Sequence, residues 1–178
     1  MKQKIILTAL KICEKEGYES FSMRKLATKL DLDPMAIYHY FENKEALTKA
    51  MVEQIFKRFE KEITISEKNP NANLKNILVE YWALFIEYPG MSFFLIKNSY
   101  DGFPSVISLN QTLQMLIKKI YPAVDDIKAL NIIIDFIHGN AFAFSTLLKG
   151  KTKEATIDSN KREFESSLSY LLDLFKDS

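Results

Sequence analysis

Apolar residues recur along this chain at the three- and four-residue spacing of an α-helix, and no stretch alternates apolar with polar residues long enough to suggest a strand. Ile6, Ala9, Leu10 and Cys13 form the first stripe, which Gly17 ends by offering a backbone position suited to positive φ. Ser22 is placed to cap a second, short helix with the stripe Met23, Leu26, Ala27 and Leu30, which stops at Asp31. Asp33 then Pro34 reads as an N-cap with proline at the first helical position, opening a third helix to about Tyr40. Asn43 caps a fourth, longer helix from Lys44. The spacing predicts further helices over about Asn73–Glu87, a short stretch up to about Asn98, Pro104–Ile120, Asp125–Lys149 and Asp158–Lys176, with polar connections at Ser66–Asn73 and Lys151–Asp158. The expectation is an all-α fold of about nine helices, with a three-helix N-terminal domain at residues 1–47 and a helical bundle at 48–178.

Composition narrows the function classes. At 178 residues and 47% hydrophobic content the chain can bury a core, and its 24 Lys plus Arg against 23 Asp plus Glu exclude a polycation that coats nucleic acid indiscriminately. The small basic bias lies in residues 1–50, with nine basic against seven acidic residues, so any contact with nucleic acid must be local. Cys13 is the single cysteine, and no intrachain disulfide can form. Five scattered glycines make neither a phosphate loop nor a dinucleotide fingerprint, and no Gly-x-Ser-x-Gly elbow occurs. Two histidines and one cysteine, far apart, do not suggest a metal centre. The expectation is therefore a protein that is not an enzyme and needs no cofactor or metal. The first ten residues do not read as a signal peptide, and the apolar stretch Ala129–Leu148 carries Asn131, Asp135, His138 and Asn140, which are costly in hydrocarbon. It reads as a bundle helix of a cytoplasmic protein with no membrane partner.

Two short helices joined across Asp31, Leu32 and Asp33 have the layout of a helix-turn-helix, whose second helix enters the DNA major groove. Within it stand Gly17-Tyr18, then Phe21-Ser-Met-Arg-Lys-Leu-Ala, then Pro34-Met-Ala-Ile-Tyr-His-Tyr-Phe, then Asn43-Lys-Glu-Ala-Leu47. Over residues 4–50 this resembles the N-terminal domain of the tetracycline-repressor (TetR) family. Ile37 and Phe41, at i and i+4, would anchor the third helix on the core and leave Met35, Ala36, Tyr38, His39 and Tyr40 facing outward. Hydroxyl and ring N–H donors without an acid suit phosphates and base edges. The resemblance implies that Tyr38 and Lys44 contact phosphates, that Ser22, Arg24 and Lys25 meet groove or backbone from the second helix, and that Met35, Ala36, His39 and Tyr40 face the bases. It also implies a homodimeric repressor on palindromic double-stranded operator DNA, released by a small apolar or amphipathic effector. The chain departs from the family in carrying Asp31 where glycine is usual, and in having only Lys2 and Lys4 ahead of the first stripe.

The second half is dense in aromatic residues, most of which serve as core. Trp82, Phe85, Phe94, Met115, His138 and Phe142 are the candidate lining of an effector pocket. For His138 two readings stand, a core imidazole satisfied by a neighbour or a polar group offered to the ligand. The eighth helix is apolar nearly all round, so it needs two packing partners: its own bundle and, on the resemblance, a second copy of the chain. Ile132, Phe136, Gly139 and Ala143, with Leu168, Leu171, Leu172 and Phe175 of the last helix, are the candidate dimer face. The rival reading is a helical adaptor that binds a peptide in an aromatic groove and no longer reads DNA.

Overall fold

The computed structural model describes residues 1–63, 68–88, 90–97, 102–147 and 154–176. These contain α1 (Lys2–Glu16), a single 3-10 turn (Tyr18–Ser20), α2 (Met23–Leu30), α3 (Pro34–Tyr38), α4 (Lys44–Glu62), α5 (Pro70–Glu87), α6 (Met91–Lys97), α7 (Pro104–Ile120), α8 (Asp126–Leu147) and α9 (Glu154–Leu174), and no strand. The all-α expectation holds.

Local chemistry sets the boundaries. The Ser22 hydroxyl accepts from Lys25 N at 3.2 Å, Asp33 Oδ1 from Met35 N at 2.7 Å and Asn43 Oδ1 from Ala46 N at 2.8 Å, so three helices start on the side-chain caps the sequence offers. Asp31 adopts φ 55° and ψ 47°, and Leu32 N–H reaches back to Ala27 O at 3.0 Å, closing α2 with a left-handed residue. Some expected boundaries move. The fifth helix starts at Pro70, not Asn73, because Asn69 Oδ1 accepts from Ala72 N at 3.0 Å and proline fits the first helical position. The last helix starts at Glu154, not Asp158. At the third helix, α geometry ends at Tyr38, with His39 and Tyr40 in a closing turn. The expected ends at Asn98 and Lys149, and residues 66–67 and 151–153 of the polar connections, lie outside the described residues.

The chain packs as two compact units, residues 1–62 with 87–107 and residues 63–86 with 108–178. In the first, Ile5, Ala9, Leu26, Ile37, Leu47, Met51, Val52 and Phe56 form a closed core that gathers α1, α2, α3 and α4. In the second, Tyr81 and Trp82 of α5 pack on α8 and α9: Trp82 stacks on Phe164 at 4.8 Å between ring centres, and Phe164 in turn stacks on Phe136 at 5.6 Å. One segment, 126–144 of α8, is long and apolar enough to cross a membrane by length and composition, and 44% of that window is buried within the chain.

Candidate nucleic-acid interface

Ile37 and Phe41 are buried and fix α3 from below. On its other side Met35 is 67% exposed, Tyr38 and Tyr40 are each 43% exposed, His39 is exposed, and Ala36 is half-buried. No acid interrupts this surface between Pro34 and Phe41. Arg24 is exposed on α2, and Thr28 stands one turn further on the same face, its hydroxyl donating to Arg24 O at 3.1 Å. Lys25 is held in an ion pair with Glu16 of α1, and Ser22 spends its hydroxyl on the α2 cap. The Lys2 ammonium lies 5.3 Å from the centre of the Phe41 ring, beside the end of α3.

Lys44 is built into the fold. Its ammonium donates to Phe21 O at 2.7 Å and lies 4.5 Å from the centre of the Tyr18 ring, and burial lowers its pKa. Tyr18 in turn shares a hydrogen bond with the buried Thr48 hydroxyl at 3.2 Å and packs on Phe94 at 5.6 Å. Gly90, at φ +85°, lies so close that a Cβ there would be 3.3 Å from Tyr18 Cβ. Tyr18 is thus the centre of a cluster joining the start of α4 to the start of α6. The sequence marked Tyr18 only as part of a motif, because its partners lie about 30 and 70 residues away. Lys44→Met is expected to lower stability by about 2 kcal/mol, through loss of a charge-assisted hydrogen bond and a cation–π contact, as read from the urea midpoint at constant slope.

The candidate effector lining is only partly gathered. Trp82, Phe85 and His138 share the second unit's core; Tyr81 Oη and His138 Nε2 are 2.8 Å apart, and the Phe85 ring stands edge-on to the imidazole at 4.9 Å. Trp82 Nε1 donates to Asn140 Oδ1 at 2.7 Å, a partner the sequence did not suggest. Phe94 packs in the other unit against Phe103, and Met115 (61% exposed) and Phe142 (41%) face out. Along α8 the candidate dimer residues Ile132, Gly139 and Ala143 are exposed and Phe136 is half-buried, on one continuous face. Leu171 of α9 and Phe175, just past its end, are half-buried, whereas Leu168 and Leu172 are buried within their own chain. Among the described residues no three His, Cys, Asp or Glu side chains are grouped to hold a metal ion.

Residues 5–51 match the family model described as bacterial regulatory proteins, tetR family. The HTH-type transcriptional repressor NicS of Pseudomonas putida is 24% identical over 105 residues, 57% of this chain, and the chain spans about half (50%) of its length. Solved structures with the same fold include a TetR variant from Acinetobacter baumannii in complex with minocycline, at TM-score 0.80 and 18% identity, covering 99% of this chain and 97% of that one. BioQ with its double-stranded DNA operator matches at TM-score 0.76 and 17% identity, over 100% of this chain and 99% of that one. The segment from α1 to the first turns of α4 thus matches the tetR family of bacterial regulatory proteins, and the chain shares the fold of solved TetR structures over its whole length.

Proposed function

We propose that this chain is a cytoplasmic, homodimeric transcriptional repressor that binds a palindromic operator and is released by a small apolar or amphipathic effector. The observation that carries the reading is the α3 surface: Met35, Tyr38, His39 and Tyr40 exposed together, without an acid, on the buried anchors Ile37 and Phe41. In this reading residues 1–47 serve DNA. Arg24 and Tyr38 contact phosphates, and Met35, Ala36, His39 and Tyr40 meet base edges. Ser22 and Lys25 position the start of α2, and Lys44 fixes α4 beneath it. Residues 48–178 serve the effector and the partner copy, and α4 carries the signal through its buried stripe Leu47, Met51, Ile55 and Phe59. An effector acts only by binding one spacing of the two recognition helices better than the other. Relatives solved with an operator and with minocycline support this assignment of partner classes.

The test is selection of genomic DNA fragments by the purified protein, repeated with Tyr38→Ala and His39→Ala. Wild type is expected to enrich one palindrome, with affinity falling steeply as salt rises. Each variant is expected to bind that site about tenfold more weakly, the size of one lost contact. Failure to enrich any site at low salt would overturn the repressor reading and favour a peptide-binding adaptor.

A further inference from the structure

Side chains with a fixed donor or acceptor pattern choose bases by hydrogen bonding in the major groove: Arg or Lys for guanine, Asn or Gln for adenine, Asp or Glu for cytosine. Between Pro34 and Phe41 the chain has none of these. On either side, Asp33 and Asn43 each spend a side-chain oxygen on a helix cap, accepting from Met35 N at 2.7 Å and Ala46 N at 2.8 Å. Glu42 lies past the buried Phe41, in the bend before α4. His39 and Tyr40 do not choose by themselves, because a neutral imidazole and a phenol each offer both a donor and an acceptor. That leaves Met35 and Ala36, at the second and third positions of α3, the end from which a recognition helix meets base edges. Met35 is the most exposed large apolar side chain described in the first unit, and it stands one turn before His39, whose backbone N–H donates to Met35 O at 3.2 Å. A thioether is a weak acceptor at best, and a methyl group is neither donor nor acceptor. The apolar group that a base edge presents in the major groove is the C5-methyl of thymine. Against the amino group of cytosine or adenine, the same side chains would displace water and return no hydrogen bond.

We infer that Met35 and Ala36 read thymine by its methyl group, so that each operator half-site carries T·A pairs at one or two fixed positions beneath the start of α3. This inference rests on the repressor reading above and narrows its partner, from a palindrome of any sequence to one with thymine at those positions. Apolar contact with a methyl group carries no charge, so this selectivity is separate from the phosphate contacts that supply most of the salt-dependent affinity.

The experiment takes the palindrome enriched by the wild-type protein and replaces its thymines with deoxyuridine one at a time, reading affinity by fluorescence anisotropy. Uracil keeps every hydrogen-bonding group of thymine and lacks only the methyl. At one or two thymines per half-site the wild-type protein is expected to bind about fourfold more weakly, the worth of one buried methyl group, and at the others less than twofold. The ratio between the thymine and uracil forms is expected to hold as salt rises, while overall affinity falls. Met35→Ala, a change at an exposed side chain that leaves the core intact, is expected to bind the two forms equally at one of the sensitive positions. A palindrome indifferent to every uracil, or a Met35→Ala protein with the full sensitivity of wild type at every position, would overturn this inference and leave the repressor reading standing. Enrichment of no palindrome would overturn both.

Discussion

Acidification from pH 7 to pH 4 is expected to remove about 3 kcal/mol of folding stability through His138 alone. The imidazole is buried, and burial, with no charged neighbour contributing, lowers its pKa from 6.5 to about 4. It meets Tyr81, whose hydroxyl can donate to an unprotonated Nε2. In the unfolded chain the ring takes up a proton below pH 6.5, while the folded chain resists until about pH 4. Between those values the unfolded state binds more protons, so stability is full above pH 6.5 and falls as the pH drops. A shift of 6.5 to 4 at 1.36 kcal/mol per unit gives the stated size. Carboxylates also contribute to acid unfolding, so the check is a difference between two proteins. His138→Gln keeps an acceptor for Tyr81 and cannot titrate. Its urea-derived stability is expected to be lower than wild type at pH 7 by about 1 kcal/mol, and equal or higher at pH 4. Parallel curves for the two proteins would show that His138 is not the group responsible.

The same residue illustrates where sequence reading stops. Periodicity placed His138 on an apolar helix and left open whether it meets a core partner or a ligand. Tyr81, its partner, is 57 residues away on α5, and no local pattern pairs them. The helix-turn-helix was legible for the opposite reason. Its caps at Ser22, Asp33 and Asn43 each bond a backbone N–H two or three residues on, and the left-handed Asp31 closes α2 on its own carbonyls. Such devices are written in consecutive residues. Lys44 shows the boundary between the two cases. Its position in the motif was plain, but its hydrogen bond to Phe21 O reaches 23 residues back and gives it a packing role that spacing cannot express.

Helices apolar on several faces were hardest to read. On α9, Phe164, Leu168 and Leu172 form one i, i+4 line, Leu171 and Phe175 just past the helix end form another, and only the first is buried within the chain. Which line turns inward depends on the rotation of the helix against Trp82, a tertiary choice. Met115 and Phe142 were grouped with Trp82 for their chemistry, yet both face outward, because composition does not record the side of a helix on which a residue falls.

Replacing Gly139 with arginine is expected to move two measured stabilities in opposite directions. A Cβ added at Gly139 would meet nothing within 4 Å, so the isolated chain has room for a side chain. Glycine inside a helix costs about 1 kcal/mol relative to better helix formers, and an arginine there would stand one turn after the exposed Asp135, a favourable i, i+4 pair. The folded monomer should therefore gain up to about 1 kcal/mol. Gly139 lies between Ile132 and Ala143 on the exposed face of α8, and a twofold axis there would bring each Gly139 close to the partner's helix. Two arginines in that space would add bulk and like charge where close approach is needed. Dimer dissociation should rise at least a hundredfold, or about 3 kcal/mol, as measured by sedimentation equilibrium, with operator affinity falling in step because one recognition helix cannot span two half-sites. Ala143→Arg should act in the same direction on assembly, since it occupies the same face. A Gly139→Arg protein that assembles as tightly as wild type would place the dimer interface elsewhere, and the exposed stripe of α8 would then need a different partner.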